Sequence, residues 1–149
     1  MHSREAKRLS LRETQPMTPD SARMLNPLQL AYIGDTIWDL LIRSRLIFNR
    51  YNVRHMHKAA VGGVNAQAQA VALTRIESAL TTEEDDIVRR GRNSHARHPC
   101  PRNQDPADYK AATGLEALVG YLYLTGRDER LLELFDITQR EEDTCPDLR

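Results

Sequence analysis

The sequence predicts an all-α protein, and two observations carry that expectation. Helix-start signals recur ahead of apolar residues spaced three and four apart. In contrast, β-branched residues never alternate with polar ones over a useful length, and no Asn-Gly or Asp-Gly pair offers a hairpin turn. No internal repeat is visible.

The elements follow in chain order. Residues 1–22 are polar, carry Pro16 and Pro19, and read as a mobile basic arm. Asn26-Pro27 is a helix N-cap followed by proline at the first helical position, and Leu30, Ile33, Ile37, Leu41 and Ser44 keep helical spacing to about Phe48. Asn52 opens a short segment, VRHMHKAAVGG, that Gly62-Gly63 is expected to end. Asn65 caps AQAQAVALTRIESAL, whose alanines suit close helix packing. Thr81 with Glu84 forms a capping box ahead of TEEDDIVRR. A loop from about Gly91 to Asp105 leads to a second cap-plus-proline start at Asp105-Pro106. The helix ADYKAATGLEALVGYLYL then runs to Gly126, a C′ glycine, and DERLLELF forms a last short helix. The folded domain is expected over 23–137, and 138–149 reads as an acidic tail.

The chain has 149 residues, 40% hydrophobic and 28% charged, which suits one globular domain and excludes a disordered chain. No apolar run approaches the roughly 20 residues of a membrane span, and Met1–Glu13 lacks the apolar core of a secretory signal. Two cysteines, Cys100 and Cys145, make no disulfide framework. A reduced cytoplasmic setting is therefore expected, or a plastid stroma for a plant source. The formal charge is zero, from 21 basic and 21 acidic residues, yet these are segregated. Residues 43–58 carry Arg43, Arg45, Arg50, Arg54 and Lys58 with no acid. Residues 89–104 carry Arg89, Arg90, Arg92, Arg97 and Arg102, again with no acid. Residues 128–147 hold eight acids against Arg130 and Arg140. Of the basic residues 18 are arginine, whose guanidinium fork suits phosphate. A neutral total therefore leaves a polyanion partner open.

Glycines occupy helix interiors at Gly34, Gly114 and Gly120. Each costs up to about 1 kcal/mol relative to alanine, so a compensating gain is expected, and close backbone approach of the two helices supplies one. Each helix also bears a carboxylate in an apolar stretch: Asp35 beside Gly34, and Glu116 between Leu115 and Ala117. If the helices cross at their glycines the two carboxylates converge into a hard oxygen site suited to Mg²⁺. An ordinary solvated pair of acids fits the periodicity equally well.

Two segments resemble a known family. LAYIGDTIWDLLIR resembles the signature helix of the ribonuclease III family, with its hydrophobic-Gly-Asp core, and TGLEALVGYLYL resembles that family's second catalytic helix. The stretch Arg90-Gly91-Arg92-Asn93 and the NAQAQA run from Asn65 are further similar to the small branch called Mini-ribonuclease III. The resemblance covers roughly residues 23–135. Larger members place four acids around the metals; here Leu28 and Thr113 match the two further acids, and Ala31 matches an additional signature-helix glutamate. Only Asp35 and Glu116 remain of that set, as in the Mini-III branch.

The resemblance implies a ribonuclease III endonuclease-domain helical bundle that forms a homodimer and lacks a duplex-RNA-binding domain after it. It implies an endoribonuclease that uses Mg²⁺, or Mn²⁺ in its place, on Asp35 and Glu116. The products would carry a 5′-phosphate and a 3′-hydroxyl. The implied substrate is double-stranded RNA, the stem flanking the 23S ribosomal RNA precursor, with a large-subunit ribosomal protein as a candidate helper. Arg89, Arg90, Arg92, Asn93, Arg97, Arg102 and Lys110 are the expected RNA contacts, since duplex RNA is read by shape, phosphate and 2′-hydroxyl. Tyr32, Trp38 and Leu41 are candidates for the dimer interface, or else for the protomer core. Asp39, one turn after Asp35, is a candidate helper through water, and an ordinary surface role fits it equally well. The competing reading is a fold-retaining RNA-binding or ribosome-associated protein without catalysis. His95, His98 and Cys100 form H-x₂-H-x-C, but no fourth zinc ligand is near. No P-loop, dinucleotide fingerprint or Gly-x-Ser-x-Gly elbow is present.

Overall fold

The computed structural model describes residues 15–94 and 100–140. Helix α1 spans Pro19–Arg23, α2 Pro27–Phe48, α3 Val53–Val64, α4 Ala66–Ile76, α5 Thr82–Arg92, α6 Pro106–Leu124 and α7 Asp128–Gln139, with a 3₁₀ turn at Glu77–Ala79. No strand occurs among the described residues.

The expected starts are made by the expected chemistry. Asn26 accepts from the Leu28 N–H, and the Gln29 side chain returns a bond to the Asn26 N–H. Thr81 and Glu84 exchange the same pair of bonds at α5. Asn65 caps α4 and Asp105 caps α6. At the end of α6, Gly126 has φ +74° and the Arg127 N–H reaches the Leu122 carbonyl at 2.9 Å.

Helix α6 is the hub. Every residue from Ala111 to Leu122 is buried except Glu116, which is half-buried. A helix apolar on all sides needs neighbours on all sides, and α6 packs against α2, α5, α4, α7 and α1. Its contact with α2 is backbone on backbone: a Cβ at Gly34 would lie 1.7 Å from the Glu116 carbonyl oxygen, and one at Gly120 1.9 Å from the Leu30 carbonyl oxygen. Gly114 serves a different neighbour from the one expected. Its missing side chain admits Val88 and Arg92 of α5, because it lies two residues, about 200° of helical turn, from Glu116.

Several expectations are corrected. Helix α3 runs through Gly62-Gly63 to Val64, and the Gly63 carbonyl accepts from Trp38 Nε1 at 3.0 Å. Helix α7 continues past Phe135 to Gln139, burying Thr138 and Gln139. Residues 15–22, expected within the arm, pack on the domain: Ala22 is fully buried and the Met17 N–H donates to the Leu124 carbonyl. Trp38 belongs to the protomer core, 2% exposed and edge-on to Phe135 at 5.3 Å, so its ring has no surface to offer a second copy.

An ion pair joins α5 to α7. Arg130 grips both oxygens of Glu84 at 2.8 and 2.9 Å while donating to the Ala79 carbonyl at 2.7 Å. Burial pushes the Glu84 carboxyl up, but the Arg130 fork and the Thr81 N–H outweigh it and hold the group below the usual carboxylate range. Glu84 is 2% exposed, so Arg130→Met leaves a buried charge unpaired. The expected cost is about 2–3 kcal/mol, less than for a fully buried pair because Arg130 keeps a quarter of its side chain in water. With Glu84's pKa depressed, that stability is present above about pH 4.5 and fades as pH falls. Urea titrations of both proteins at pH 7 and pH 3.5 check this; equal midpoints at pH 7 would refute it.

Candidate active site

The backbone crossing of α2 and α6 fixes where their carboxylates go. Asp35 follows Gly34, the residue that abuts the carbonyl of Glu116, so the two acids stand on either side of the point of closest approach. They line one cavity of about 360 Å³. Leu28, Ala31 and Tyr32 of α2, Gln69 of α4, and Tyr109, Ala112 and Thr113 of α6 complete most of its wall, with Gln104 at the loop side. Leu28, Ala31 and Thr113 thus share this cavity with the two acids.

Electrostatics mark the site as unusual. Burial is the main reason the Glu116 carboxyl is pushed up to about 8, and the neighbouring Asp35 charge adds to it. The Gln69 amide acts in the opposite sense, favouring the charged form. Its Nε2 nevertheless makes no hydrogen bond of ordinary geometry among the described residues, although Gln69 is only 2% exposed. A carboxyl held near neutral pH, an exposed carboxylate beside it and an orphaned buried amide together fit a small hard cation that retains part of its water shell. The cavity offers two carboxylates, and no group of three or more His, Cys, Asp or Glu side chains that could hold a metal occurs anywhere among the described residues, this site included.

The other expected site residues are distributed differently. Asp39 pairs with Arg43 at 3.0 Å and does not line the cavity. Tyr32 does line it, at 82% exposure, whereas Leu41 packs half-buried against the core. The α5 arginines are engaged within the chain. Arg89 pairs with Asp86, Arg92 with Glu77 at 2.9 Å, and Arg90 donates to the Leu25 carbonyl at 3.3 Å. Asn93 is exposed at the end of α5, and Arg102 and Lys110 are exposed without an ion pair among the described residues. None of these six lines the cavity. Arg97, His95 and His98 lie outside the described residues, as does Cys145. Arg50, Arg54 and Lys58 are exposed and unpaired among the described residues, and α3, which bears the last two, ends at Val64 on the cavity wall.

Gln69 is the site residue that sequence reasoning missed. It shares a helical face with Ala72, Leu73 and Ile76, all buried, and is the one polar member of that stripe. A polar residue at a core position is a readable signal.

Comparison with known proteins identifies the family and agrees with the fold. Residues 28–127 match the Ribonuclease III domain family. The chain is 50% identical over 111 residues to a Mini-ribonuclease 3 of Symbiobacterium thermophilum, covering 74% of this chain and 85% of that one. A Mini-ribonuclease 3 of a Thermoanaerobacter species is 41% identical over 129 residues, covering 86% and 90%. A crystal structure of a Fusobacterium nucleatum protein superposes with a TM-score of 0.71 at 32% identity, covering 79% of this chain and 96% of that one. No described helix is long and apolar enough to cross a membrane. The chain belongs to the ribonuclease III family, within its Mini-ribonuclease III branch, and is an endoribonuclease.

Proposed function

We propose that this endoribonuclease cleaves double-stranded RNA at the Asp35–Glu116 cavity with Mg²⁺ bound there, Mn²⁺ serving in its place. Its substrate is the paired stem flanking 23S ribosomal RNA precursor, and two copies act together so that each cuts one strand. The observation that carries this reading is the convergence of the two carboxylates in one cavity at the α2–α6 crossing. The cation supplies Lewis-acid chemistry, neutralising phosphate charge and activating water. Glu116 contributes a half-buried carboxyl that gives up its proton as positive charge enters. Asp35, exposed on the cavity wall, supplies the second carboxylate for the cation. Tyr32, exposed one turn before Asp35, and the half-buried Leu41 are the α2 residues proposed to meet the second copy.

Cleavage of long duplex RNA by the wild type and by Asp35→Asn, each with and without Mg²⁺, tests this. The expected result is Mg²⁺-dependent cutting by the wild type and none by the variant, with both proteins dimeric and equally folded. A fully active Asp35→Asn protein would sink the reading.

Duplex binding is expected to rest on Arg54 and Lys58 more than on Arg89 and Arg92, whose charges Asp86 and Glu77 already offset. Neutralising Arg54 and Lys58 together with glutamine should lower the salt slope of RNA affinity by about 2 per protomer. Arg89→Gln with Arg92→Gln should change it less. The reverse ranking, measured by binding in Ca²⁺ from 50 to 200 mM salt, would refute the assignment.

A further inference from the structure

We propose that Gln69 is a positioning residue of this site: its buried side-chain amide holds the Glu116 carboxylate in the orientation that ligates the cation. The inference rests on the cation reading above and names a residue that reading does not use. Three observations on α4 support it. Gln69 lies at a core position, between turns whose Ala72, Leu73 and Ile76 are buried, where an apolar residue would fill the space without loss. Its Nε2 is buried and makes no hydrogen bond among the described residues, which costs about 1–3 kcal/mol unless some state of the protein repays it. It lines the same cavity as Glu116.

The chemistry names the partner. A primary amide offers two N–H donors, and an ionised carboxylate is the strongest acceptor class a protein provides. Within the cavity wall the carboxylates are Asp35, exposed, and Glu116, half-buried. Once Glu116 uses one oxygen on a cation, the other is the acceptor that Nε2 lacks. Such outer contacts fix the orientation of a ligating group, and their removal typically lowers metal affinity by roughly 10–100-fold. Packing alone offers no reason for the amide: leucine or methionine at this position would complete the stripe.

Mn²⁺ binding to the RNA-free full-length chain, followed by loss of the free-ion electron paramagnetic resonance signal, tests the inference. The proteins are the wild type, Asp35→Asn, Gln69→Met and Gln69→Leu, with thermal melting to verify folding of each. Gln69→Met is expected to melt no lower than the wild type yet to bind Mn²⁺ about 10–100-fold more weakly. In cleavage assays the half-saturating Mg²⁺ concentration should rise correspondingly, while kcat at saturating Mg²⁺ is largely recovered. Gln69→Leu should repeat this and stands in if the methionine variant misfolds. Mn²⁺ affinity equal to wild type in the folded variants would overturn the inference, including the case where only the KM for RNA rises, which would assign Gln69 to the substrate. If wild-type Mn²⁺ binding is indifferent to Asp35→Asn, the cation reading falls and takes the inference with it.

Discussion

Gly34→Ala is expected to unfold the domain or to lower its melting temperature drastically, and to abolish cleavage in whatever fraction stays folded. The added Cβ would sit 1.7 Å from the Glu116 carbonyl oxygen, 2.7 Å from its carbon and 2.9 Å from the Gly120 nitrogen. All three are backbone atoms of α6, so no side chain can rotate away. Restoring ordinary contact at about 3.5 Å requires the two helices to part by roughly 2 Å. That displacement opens voids along the largest interface of the fold. The cost is therefore expected beyond the usual 1–3 kcal/mol of overpacking, against a total domain stability of about 5–15 kcal/mol. The residue pushed is Glu116 itself, so the site is displaced along with the packing. Gly62 provides the control: a Cβ there meets nothing within 4 Å, and Gly62→Ala in α3 is expected to leave stability unchanged or raise it by up to about 1 kcal/mol. Circular-dichroism melting of the two variants decides the matter. A Gly34→Ala protein that melts and cleaves like the wild type would show that the helices do not meet backbone to backbone.

That contrast shows what a sequence displays and what it conceals. The helix starts are legible because each depends on chemistry within three residues: Asn26 with Gln29, Thr81 with Glu84, Asp105 with the Ala107 N–H. The α2–α6 crossing is legible because interior glycine in an apolar helix demands a compensation, and Gly34 and Gly120 obtain theirs from each other's helices. Which neighbour a glycine serves is not local information, and Gly114 turns to α5. The same holds for Gly63, where an added Cβ would press on the Ile42 side chain at 3.1 Å. Charge runs conceal the most. Arg89, Arg90 and Arg92 read as a free basic face, but Asp86, Glu77 and the Leu25 carbonyl occupy them, and two of those partners lie 15 and 65 residues away. The candidate carboxylates are readable as residue types; that Gln69 joins them depends on how α4 lies against α6.

In the absence of divalent cation, Glu116→Gln is expected to melt well above the wild type at pH 8.5 and close to it at pH 4.5; with Mg²⁺ present it is expected to lose cleavage at every pH. The carboxyl titrates at about 8 in the folded chain and near the ordinary 4.5 when unfolded. Between those values the folded state holds a proton that the unfolded state has released, so wild-type stability declines as pH rises across the window. The Glu116 contribution is fully present below about pH 4.5 and is lost as pH climbs through about 8. At roughly 1.4 kcal/mol per pH unit the loss amounts to as much as about 4–5 kcal/mol, or on the order of 10 °C in a chain this size. Glutamine keeps the shape and has no proton to lose, so its curve lacks this slope. Adding Mg²⁺ should close the gap from the wild-type side, because a ligand that binds only the folded state stabilises it by RT ln(1 + [L]/Kd), about 2.7 kcal/mol at one hundred times Kd. The variant, lacking one carboxylate, should gain little. Melting curves from pH 4.5 to 8.5, with and without Mg²⁺, read all three effects at once. Parallel pH profiles for the two proteins would mean that Glu116 titrates as a solvated acid and that the cavity does not tune it, whereas a wild-type slope erased by Mg²⁺ ties the desolvation of this one carboxyl to the cation it is built to receive.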